Sequence, residues 1–232
     1  MLTVFKTILT SKKQLNNNIY LFTFKLLDPL EISFIPGQNL ILKVQNRPRL
    51  YSIYSSNKTK NLIEFIVGII PGGLASTYFL NLKIGDQAEF QGPLGQFVLK
   101  ENENKKMFLA TGTGIAPVLS ILESHTIQAT LYTLYWGLRT YKDVYLFDQV
   151  KKFNPKICLS REQNLEMIPE LDKNYFDLGH VDQVMEKNLF TDKLQITDYE
   201  FYLCGGKSAV ESLRLGLLAK GINQENIFFE KF

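Results

Sequence analysis

The stretch LATGTGIAP, at residues 109–117, decides the fold of this chain. The apolar residues before Gly112 predict a short buried strand, and apolar residues at helical spacing predict an amphipathic helix over residues 115–124. Pro117 suits the first turn of that helix, where a missing N–H costs nothing. The turn between strand and helix contains Gly112, Thr113 and Gly114. It leaves backbone N–H groups at the positive end of a helix, where a diphosphate can bind.

These glycines have a second interpretation, in which they only relieve crowding in a plain strand–turn–helix connection. The pattern differs from the full G-x-G-x-x-G fingerprint, because Pro117 occupies the position of the third glycine. Other motifs in the chain are therefore needed to distinguish a nucleotide-binding loop from an ordinary turn.

Composition narrows the class of protein. The 232 residues allow one large or two ordinary domains, and a hydrophobic content of 45% is enough for real cores. The net charge of +3 gives no case for nucleic acid, although it is compatible with docking a small acidic protein. The two cysteines, Cys158 and Cys204, cannot hold a four-cysteine cluster. His125 and His180 lack metal-ligand spacing, so we expect no metal site.

The chain carries no targeting signal that the sequence reveals. Its first residues lack the order of a signal peptide, and no apolar run approaches the ~20 residues that span a bilayer. The cysteine content indicates no disulfide framework, so the reducing cytoplasm is the default compartment. We expect a cytoplasmic monomer without a membrane span.

The first hundred residues predict strands. Short segments rich in β-branched and aromatic residues are separated by turn residues such as Pro36-Gly37 and Gly85-Asp86. The predicted strands cover residues 4–9, 19–26, 40–44, 62–67 and 88–91, and one short helix is predicted over residues 75–82. This pattern indicates a small antiparallel β-barrel or sandwich.

The second half alternates between strands and helices. Strands are predicted over residues 106–111, 129–136, 156–160, 201–204 and 227–231, and helices over residues 115–124, 143–153, 181–188 and 208–220. Such alternation favours a mostly parallel sheet covered on both faces. The boundary falls in the polar run KENENKK at residues 100–106, which gives domains 1–101 and 102–232. Ligands of such sheets bind at the carboxyl ends of strands, where Gly112 and the pair Cys204-Gly205 lie.

Two further motifs carry chemistry in the first half. Arg49 can bind a phosphate bidentately, and Tyr51 lies on the same strand face, where it can pack on an aromatic ring. Gly72 and Gly73 precede an apolar helical stretch and provide a second phosphate cradle. The alternatives are a surface arginine beside a half-buried tyrosine, and an ordinary turn with a helix N-cap.

Taken together, the motifs resemble those of the ferredoxin–NADP⁺ reductase family. The matching segments occur in the family's order: RLYSIYSS at 49–56, GGLAST at 72–77, GPLGQF at 92–97, GTGIAP at 112–117, SREQ at 160–163 and YLCGG at 202–206. The resemblance implies an antiparallel β-barrel domain that binds FAD and an α/β domain that binds NADP(H). It also implies that the turn at residues 92–95 joins the domains near the active site.

The resemblance assigns the flavin-binding residues. Arg49 would contact the FAD diphosphate, Tyr51 would pack on the isoalloxazine, and Ser52 would lie near flavin N5, with Leu50 completing the motif. The loop that receives the diphosphate comprises Gly73, Leu74, Ala75 and Ser76.

The resemblance also assigns the nicotinamide-nucleotide site. Its diphosphate loop comprises Gly112, Thr113 and Gly114, and the pair beside the nicotinamide comprises Cys204 and Gly205. The alternative for Cys204 is a buried core cysteine. Ser160 and Arg161 match the pair that binds the 2′-phosphate in family members that use NADP, which predicts NADPH over NADH; the alternative is a solvated arginine after a strand.

The chain end departs from the family pattern. Plant-type members end in a tyrosine over the flavin, whereas this chain ends in Phe232, which can stack but cannot donate a hydrogen bond. Glu230 matches a carboxylate near the active site, and its alternative is a surface charge on a terminal strand. The residues expected at the reacting centre are therefore Ser52, Cys204, Glu230 and Phe232.

The implied activity is transfer of a hydride from NADPH to FAD, followed by electron transfer to a ferredoxin or a flavodoxin. The cofactors supply the reactivity and the protein supplies position, so no protein base is needed. Other acceptors remain open, including free flavin, a ferric chelate and an oxygenase. A flavin-binding subunit that acts only inside a complex is a further alternative. For this activity we expect a cleft between the two domains, and we expect Tyr51 and Cys204 to line that same cleft.

Overall fold

The computed structural model describes residues 2–125, 127–192 and 199–232. The chain divides into two compact units: the first comprises Met1–Lys100 with Ala116–His125, and the second comprises Glu101–Ile115 with Thr126–Phe232. The domain boundary between residues 101 and 102 stays a prediction.

The first unit is an antiparallel sheet with one helix. Its strands are β1 (Thr3–Gln14), β2 (Ile19–Asp28), β3 (Asn39–Val44), β4 (Arg47–Ser52), β5 (Leu62–Gly68) and β6 (Gln87–Leu94), and its helix α1 covers Leu74–Asn81. Among the described residues the strand order is β4-β3-β6-β1-β2-β5. The two edge strands approach each other, because the Tyr54 N–H donates to the Glu64 carbonyl at 2.9 Å just after β4 ends. The predicted antiparallel barrel class is confirmed.

The core of the first unit follows the two-residue period of its strands. Along β2, Phe22 and Phe24 are fully buried, while Thr23 between them is only partly buried. The buried Phe79 of α1 packs on Phe22 with ring centroids 4.7 Å apart, and on the ring of Tyr51 at 4.9 Å. Helix α1 is thereby fixed beside β4, so that the two predicted flavin motifs lie on adjoining elements.

Helix α2 (Ile115–Ser124) contributes its residues from Ala116 onward to the first unit. The hydroxyl of the fully buried Ser120 donates to the Ser55 carbonyl at 2.8 Å. Near the end of the helix, the Asn57 N–H donates to the Ser124 hydroxyl at 3.2 Å. The segment that follows β4 is therefore bonded to α2 by serine side chains.

We predict that Ser120→Ala lowers the free energy of unfolding by about 1 kcal/mol, because it leaves the buried Ser55 carbonyl without this donor. Urea unfolding followed by circular dichroism measures the change. The control is Ser11→Ala on the exposed face of β1, which is expected to change stability by less than about 0.5 kcal/mol. Equal stabilities of the two variants would contradict the assigned bond.

The second unit is a parallel sheet flanked by helices. Its strands are β7 (Lys105–Thr111), β8 (Tyr132–Leu138), β9 (Lys156–Leu159), β10 (Phe176–Leu178), β11 (Tyr199–Gly205) and β12 (Ile227–Lys231), and its helices are α3 (Phe147–Val150), α4 (Val181–Asp192) and α5 (Lys207–Ala219). The described strands are ordered β10-β9-β8-β7-β11-β12 and pair in parallel. The predicted α/β class is confirmed, and all carboxyl strand ends meet at one edge of the sheet.

Four local predictions are wrong. The predicted helix at residues 143–153 is broken into Tyr141–Asp143, α3 and Lys151–Phe153, with Leu146 in the left-handed region at φ 52°. The strand predicted from residue 129 begins at Tyr132, after a 3-10 turn. Strand β10 is missing from the prediction because three residues carry no readable period. The predicted turn at residues 92–95 is largely the end of β6, where Gly92 pairs with Thr3 of β1.

The polar run at residues 100–106 is anchored in the second unit. Lys106 and Glu200, each with a side chain only 3% exposed, form an ion pair of 3.8 Å. Asn102 bridges them, because its Oδ1 accepts from the ammonium at 2.6 Å and its Nδ2 donates to the carboxylate at 2.7 Å. Burial lowers the pKa of Lys106, and the nearby Glu200 acts in the opposite direction. This network fixes the start of β7 against β11.

Candidate active site

The motif RLYS occupies strand β4 of the first unit. Arg49 and Leu50 are exposed, and Tyr51 and Ser52 are partly buried. Arg49 donates from Nη1 to the Pro48 carbonyl at 2.9 Å. Side chains therefore stay accessible along most of this edge strand, which suits a strand that a ligand covers.

The ring of Tyr51 provides a flat, uncharged surface. It packs edge-on against Phe65 and Phe79, with centroid distances of 6.0 and 4.9 Å. Burial raises the pKa of the Tyr51 phenol to about 12, while the charge of Arg49 acts in the opposite direction. The side chain is therefore a neutral phenol at physiological pH, and it can stack on an aromatic ligand without a charge penalty.

The loop before α1 turns sharply into the helix. Gly72 adopts a left-handed φ of 72°, and Gly73 is the N-cap of α1. The Ile70 N–H donates to the Ser76 hydroxyl at 2.9 Å, which closes the loop over the first turn. The first N–H groups of a helix lack partners within the helix, and a glycine N-cap has no side chain to accept from them. Together with the Arg49 guanidinium, this donor set fits a diphosphate such as that of FAD.

The second glycine loop interlocks with β11 in the second unit. Gly112–Gly114 form a 3-10 turn that follows β7 directly, and Gly112 has a φ of 52°. A Cβ on Gly114 would collide with the carbonyl group of Cys204 and lie 2.7 Å from the Gly205 nitrogen. A Cβ on Gly205 would collide with the Thr111 hydroxyl. Neither glycine has space for a side chain, because the ends of two neighbouring strands are packed backbone to backbone.

Cys204 lies at the junction of three strand ends. In register it stands opposite Ala110 of β7 and Glu230 of β12. Its side chain is fully buried, and burial raises the pKa of the thiol well above its usual value; Glu230 adds to this effect, and a hydrogen bond with the Gly205 backbone opposes it. Cys204 is therefore a neutral thiol, suited to packing and not to nucleophilic attack.

The end of the chain is attached to the same strand end. The Phe232 N–H donates to the Gly205 carbonyl at 3.2 Å, and the Lys207 N–H donates to the Phe232 carbonyl at 3.2 Å. The Phe232 side chain is 57% exposed. Glu230 and Phe232 thus belong to the edge of the sheet that carries the Gly112–Gly114 turn.

Ser160 and Arg161 follow β9 on that edge. The Ser160 hydroxyl donates to the Leu138 carbonyl at 3.2 Å, and the Arg161 N–H donates to the Arg139 carbonyl at 2.8 Å. The Arg161 side chain is exposed. Strand β8 lies between β9 and β7, so the pair is about 10 Å from the end of β7 in the plane of the sheet.

Two residues that contact the Gly112–Gly114 turn could not be identified from the sequence. The Gly112 carbonyl accepts a hydrogen bond from Trp136 Nε1 at 3.0 Å and a second one from the Tyr145 hydroxyl at 3.0 Å. Trp136 falls in a predicted strand, and its alternation could have shown a buried ring, but not what the ring bonds. Nothing in the local pattern distinguishes Tyr145, because it falls within a predicted continuous helix.

The described residues contain neither a metal-binding cluster nor a membrane-spanning helix. No group of three or more His, Cys, Asp or Glu side chains there is arranged to hold a metal ion. In the same part of the chain, no helix has the length and apolar character that crossing a membrane requires.

Family models match most of the chain. Residues 6–99 match the oxidoreductase FAD-binding domain, and residues 108–214 match the oxidoreductase NAD-binding domain. The first match includes both predicted flavin motifs, and the second includes the Gly112–Gly114 turn and Cys204. An FAD-binding domain followed by an NAD-binding domain defines a flavin-dependent oxidoreductase.

Individual relatives agree with that class. The toluate 1,2-dioxygenase electron transfer component of Pseudomonas putida is 29% identical over 98% of this chain and 67% of the relative. Among solved structures, the cytochrome P450 reductase GcoB of Amycolatopsis has a TM-score of 0.85 at 22% identity, covering 100% of this chain and 70% of that chain. The ferredoxin NADP⁺ reductase of Neisseria gonorrhoeae, with bound FAD and NADP, has a TM-score of 0.80 at 20% identity and covers 98% of both chains.

The chain belongs to the ferredoxin–NADP⁺ reductase-like family. The resemblance seen in its motifs is confirmed. The chain spans about two thirds or less of the length of several curated relatives that it matches.

Proposed function

We propose that this protein takes a hydride from NADPH onto FAD and passes the electrons to a ferredoxin or a flavodoxin. The observation that carries the proposal is the interlocked pair of strand ends, where Gly114 lies against the Cys204 carbonyl and Gly205 lies against Thr111. This arrangement provides a tight backbone turn at the carboxyl edge of a parallel sheet, where such sheets bind nucleotides.

The FAD-binding side of the proposal rests on β4 and α1. Arg49 and the first-turn N–H groups of α1 would hold the diphosphate, Tyr51 would support the flavin ring, and Ser52 would lie at its reactive edge. FAD, when bound, supplies the capacity to accept a hydride and to release electrons one at a time. The contact between Tyr51 and Phe79 joins these two elements and supports a single site formed by both motifs.

The nicotinamide-nucleotide side rests on the second unit. The Gly112–Gly114 turn would bind the diphosphate, and Cys204 with Gly205 would border the nicotinamide. A neutral, buried thiol excludes water and offers no competing nucleophile, which suits a site where a hydride is transferred. Glu230 lies opposite Cys204 in register, and its carboxylate would accept a hydrogen bond from the nicotinamide carboxamide.

The exposed Arg161 supports NADPH as the donor, because a guanidinium suits a phosphate dianion. The adjacent Ser160 would join it by turning its hydroxyl from the Leu138 carbonyl to the phosphate. The acidic neighbour Glu162 is already engaged, since its Oε1 accepts the Tyr141 N–H at 2.9 Å. This bond directs the Glu162 carboxylate to the Tyr141 backbone.

The acceptor has a second candidate. Relatives of this chain are named as electron transfer components of toluate and 2-halobenzoate 1,2-dioxygenases and as the reductase component of propane 2-monooxygenase. An oxygenase-linked role is therefore the alternative to a free ferredoxin or flavodoxin. Reduction of free flavin or a ferric chelate, and a subunit without turnover of its own, are further outcomes.

One titration tests the core of the proposal. The purified protein is expected to show a flavin absorption band, and anaerobic NADPH is expected to bleach it at about one equivalent per flavin. A colourless protein that cannot be loaded with FAD, or a flavin that NADPH and NADH both leave oxidised, would contradict the proposal. Steady-state reduction of a ferredoxin, a flavodoxin, an oxygenase component and free flavin, compared at equal concentration, then ranks the acceptors.

We predict that Arg161→Ala lowers the ratio of kcat/KM for NADPH to kcat/KM for NADH by about tenfold, because a charge-assisted contact with the 2′-phosphate is lost. The NADH value is the internal control and is expected to stay within about twofold. Arg161→Lys keeps the charge but not the bidentate geometry, so its ratio is expected to lie between those of the wild type and Arg161→Ala. An unchanged ratio in Arg161→Ala would remove Arg161 from the proposal.

Location and assembly complete the proposal. We propose a cytoplasmic location, because both cysteines are free and buried, as suits a reducing compartment. We also propose that the protein is a monomer. Cell fractionation and light scattering at several concentrations test these two points.

A further inference from the structure

The Gly112 carbonyl is held by two donors from different elements. Trp136 Nε1 comes from β8, and the Tyr145 hydroxyl comes from the segment before α3; each lies 3.0 Å from the same oxygen. Trp136 is fully buried and Tyr145 is 4% exposed. Their rings meet edge to face with centroids 5.0 Å apart, so each ring restrains the other.

The direction of this carbonyl sets the direction of the next N–H group. The Gly112–Thr113 peptide is trans, so its C=O and N–H point in opposite directions. Because the carbonyl points at two buried rings, the Thr113 N–H points away from them. Rotating this peptide would leave two buried donors without their acceptor, which is costly.

The position of Tyr145 depends on a strained backbone. Leu146 adopts φ 52° and ψ 30°, a conformation that costs energy for a residue with a branched side chain. This residue interrupts the predicted helix directly after Tyr145. The chain thus maintains an unfavourable turn where the tyrosine reaches the glycine loop.

We propose that Trp136 and Tyr145 are positioning residues for the nicotinamide nucleotide: they hold the Gly112 carbonyl inward and so aim the Thr113 N–H at the ligand's diphosphate. The inference rests on the proposed function of the Gly112–Gly114 turn. A diphosphate needs donors aimed at it, and a loop that rotates freely would offer a carbonyl oxygen, which repels an anion, part of the time.

The test uses Tyr145→Phe in the FAD-loaded protein, because this change keeps the ring and removes only the donor. We expect Kd for NADP⁺ and KM for NADPH to rise about three- to tenfold. The kcat at saturating NADPH and the flavin content are expected to stay within twofold. Affinity for adenosine 2′-phosphate, which has no diphosphate, is expected to be unchanged. Trp136→Phe is expected to behave like Tyr145→Phe, and the double variant is expected to bind NADP⁺ more weakly than either.

The matched control is Tyr175→Phe, a partly buried tyrosine of the same unit that packs on Phe147. Equal NADP⁺ affinities of Tyr145→Phe and Tyr175→Phe would overturn the inference. A parallel loss of affinity for adenosine 2′-phosphate would also overturn it, since that result indicates general loosening. If Trp136→Phe fails to fold, the test depends on the NADP⁺ affinity of Tyr145→Phe alone. A wild-type protein that binds neither NADP⁺ nor NAD⁺ would instead refute the proposed function.

Discussion

Gly114→Ala is expected to raise the Kd for NADPH roughly ten- to a hundredfold while the protein keeps its FAD. The added Cβ would collide with the carbonyl group of Cys204, so the turn and the end of β11 must move apart. Forcing a methyl group into a packed interior costs about 1–3 kcal/mol, and here the displaced atoms are backbone, which cannot rotate away. The displacement would disturb the turn proposed to bind the diphosphate.

The control for this prediction is Gly206→Ala, two residues after Cys204 on the same sheet edge. Gly206 has a φ of −61°, which any residue can adopt. Apart from its immediate chain neighbours, no heavy atom lies within 4 Å of the position that a Cβ would occupy, so the added methyl group meets open space. Stopped-flow reduction by NADPH and the thermal unfolding midpoint are measured for both variants. A Gly114→Ala protein that binds NADPH as tightly as Gly206→Ala would contradict the role assigned to the interlocked turn.

Arg49→Ala is expected to weaken FAD binding about ten- to a hundredfold, so that the purified protein loses most of its flavin. The reason is the loss of a charge-assisted contact with the proposed diphosphate, and such contacts are among the stronger hydrogen bonds in proteins. The measurement is the Kd from titrating FAD into the flavin-free protein, followed by quenching of flavin fluorescence. Arg49→Lys is expected to recover part of the affinity, because a lysine retains the charge without the fork of donors.

Arg47→Ala is the matched control for Arg49. Arg47 lies two residues earlier on β4, carries the same charge and is also exposed, so it controls for the general electrostatic field of the strand. Its removal is expected to change the Kd for FAD by less than about threefold, since a charge on the solvent-exposed strand contributes only a screened, general attraction. Equal losses in the two variants would show that net charge attracts FAD and that Arg49 has no specific contact with the diphosphate.

Much of the fold was predictable because local periods survive in the folded chain. The β-branched and aromatic content of residues 19–26 predicts β2, and the helical spacing after Gly112 predicts α2; both elements are present. Their positions depend on apolar faces that a short window of sequence already contains. The glycines of the turn could likewise be located, since strand, glycine turn and helix follow one another along the chain.

The errors lie where distant contacts outweigh local preference. Residues 143–153 have helical composition, yet Leu146 is left-handed and Tyr145 is bonded to Gly112, a residue more than thirty positions away. A further feature was not predicted at all: Lys106, within the polar run at residues 100–106, is buried against Glu200. Burial of a lysine requires a partner that comes from another strand, and no local window contains that partner.

The sequence by itself determined the fold class of each half, the order of the nucleotide motifs and which glycines form the turns. These features depend on neighbouring residues and on backbone freedom. Only the tertiary structure decided that β11 inserts between β7 and β12, so that Cys204 lies against Gly114 and opposite Glu230. Strand order in a parallel sheet is set by how helices pack across long crossovers. That packing brings together residues about ninety positions apart, and no periodic pattern encodes it.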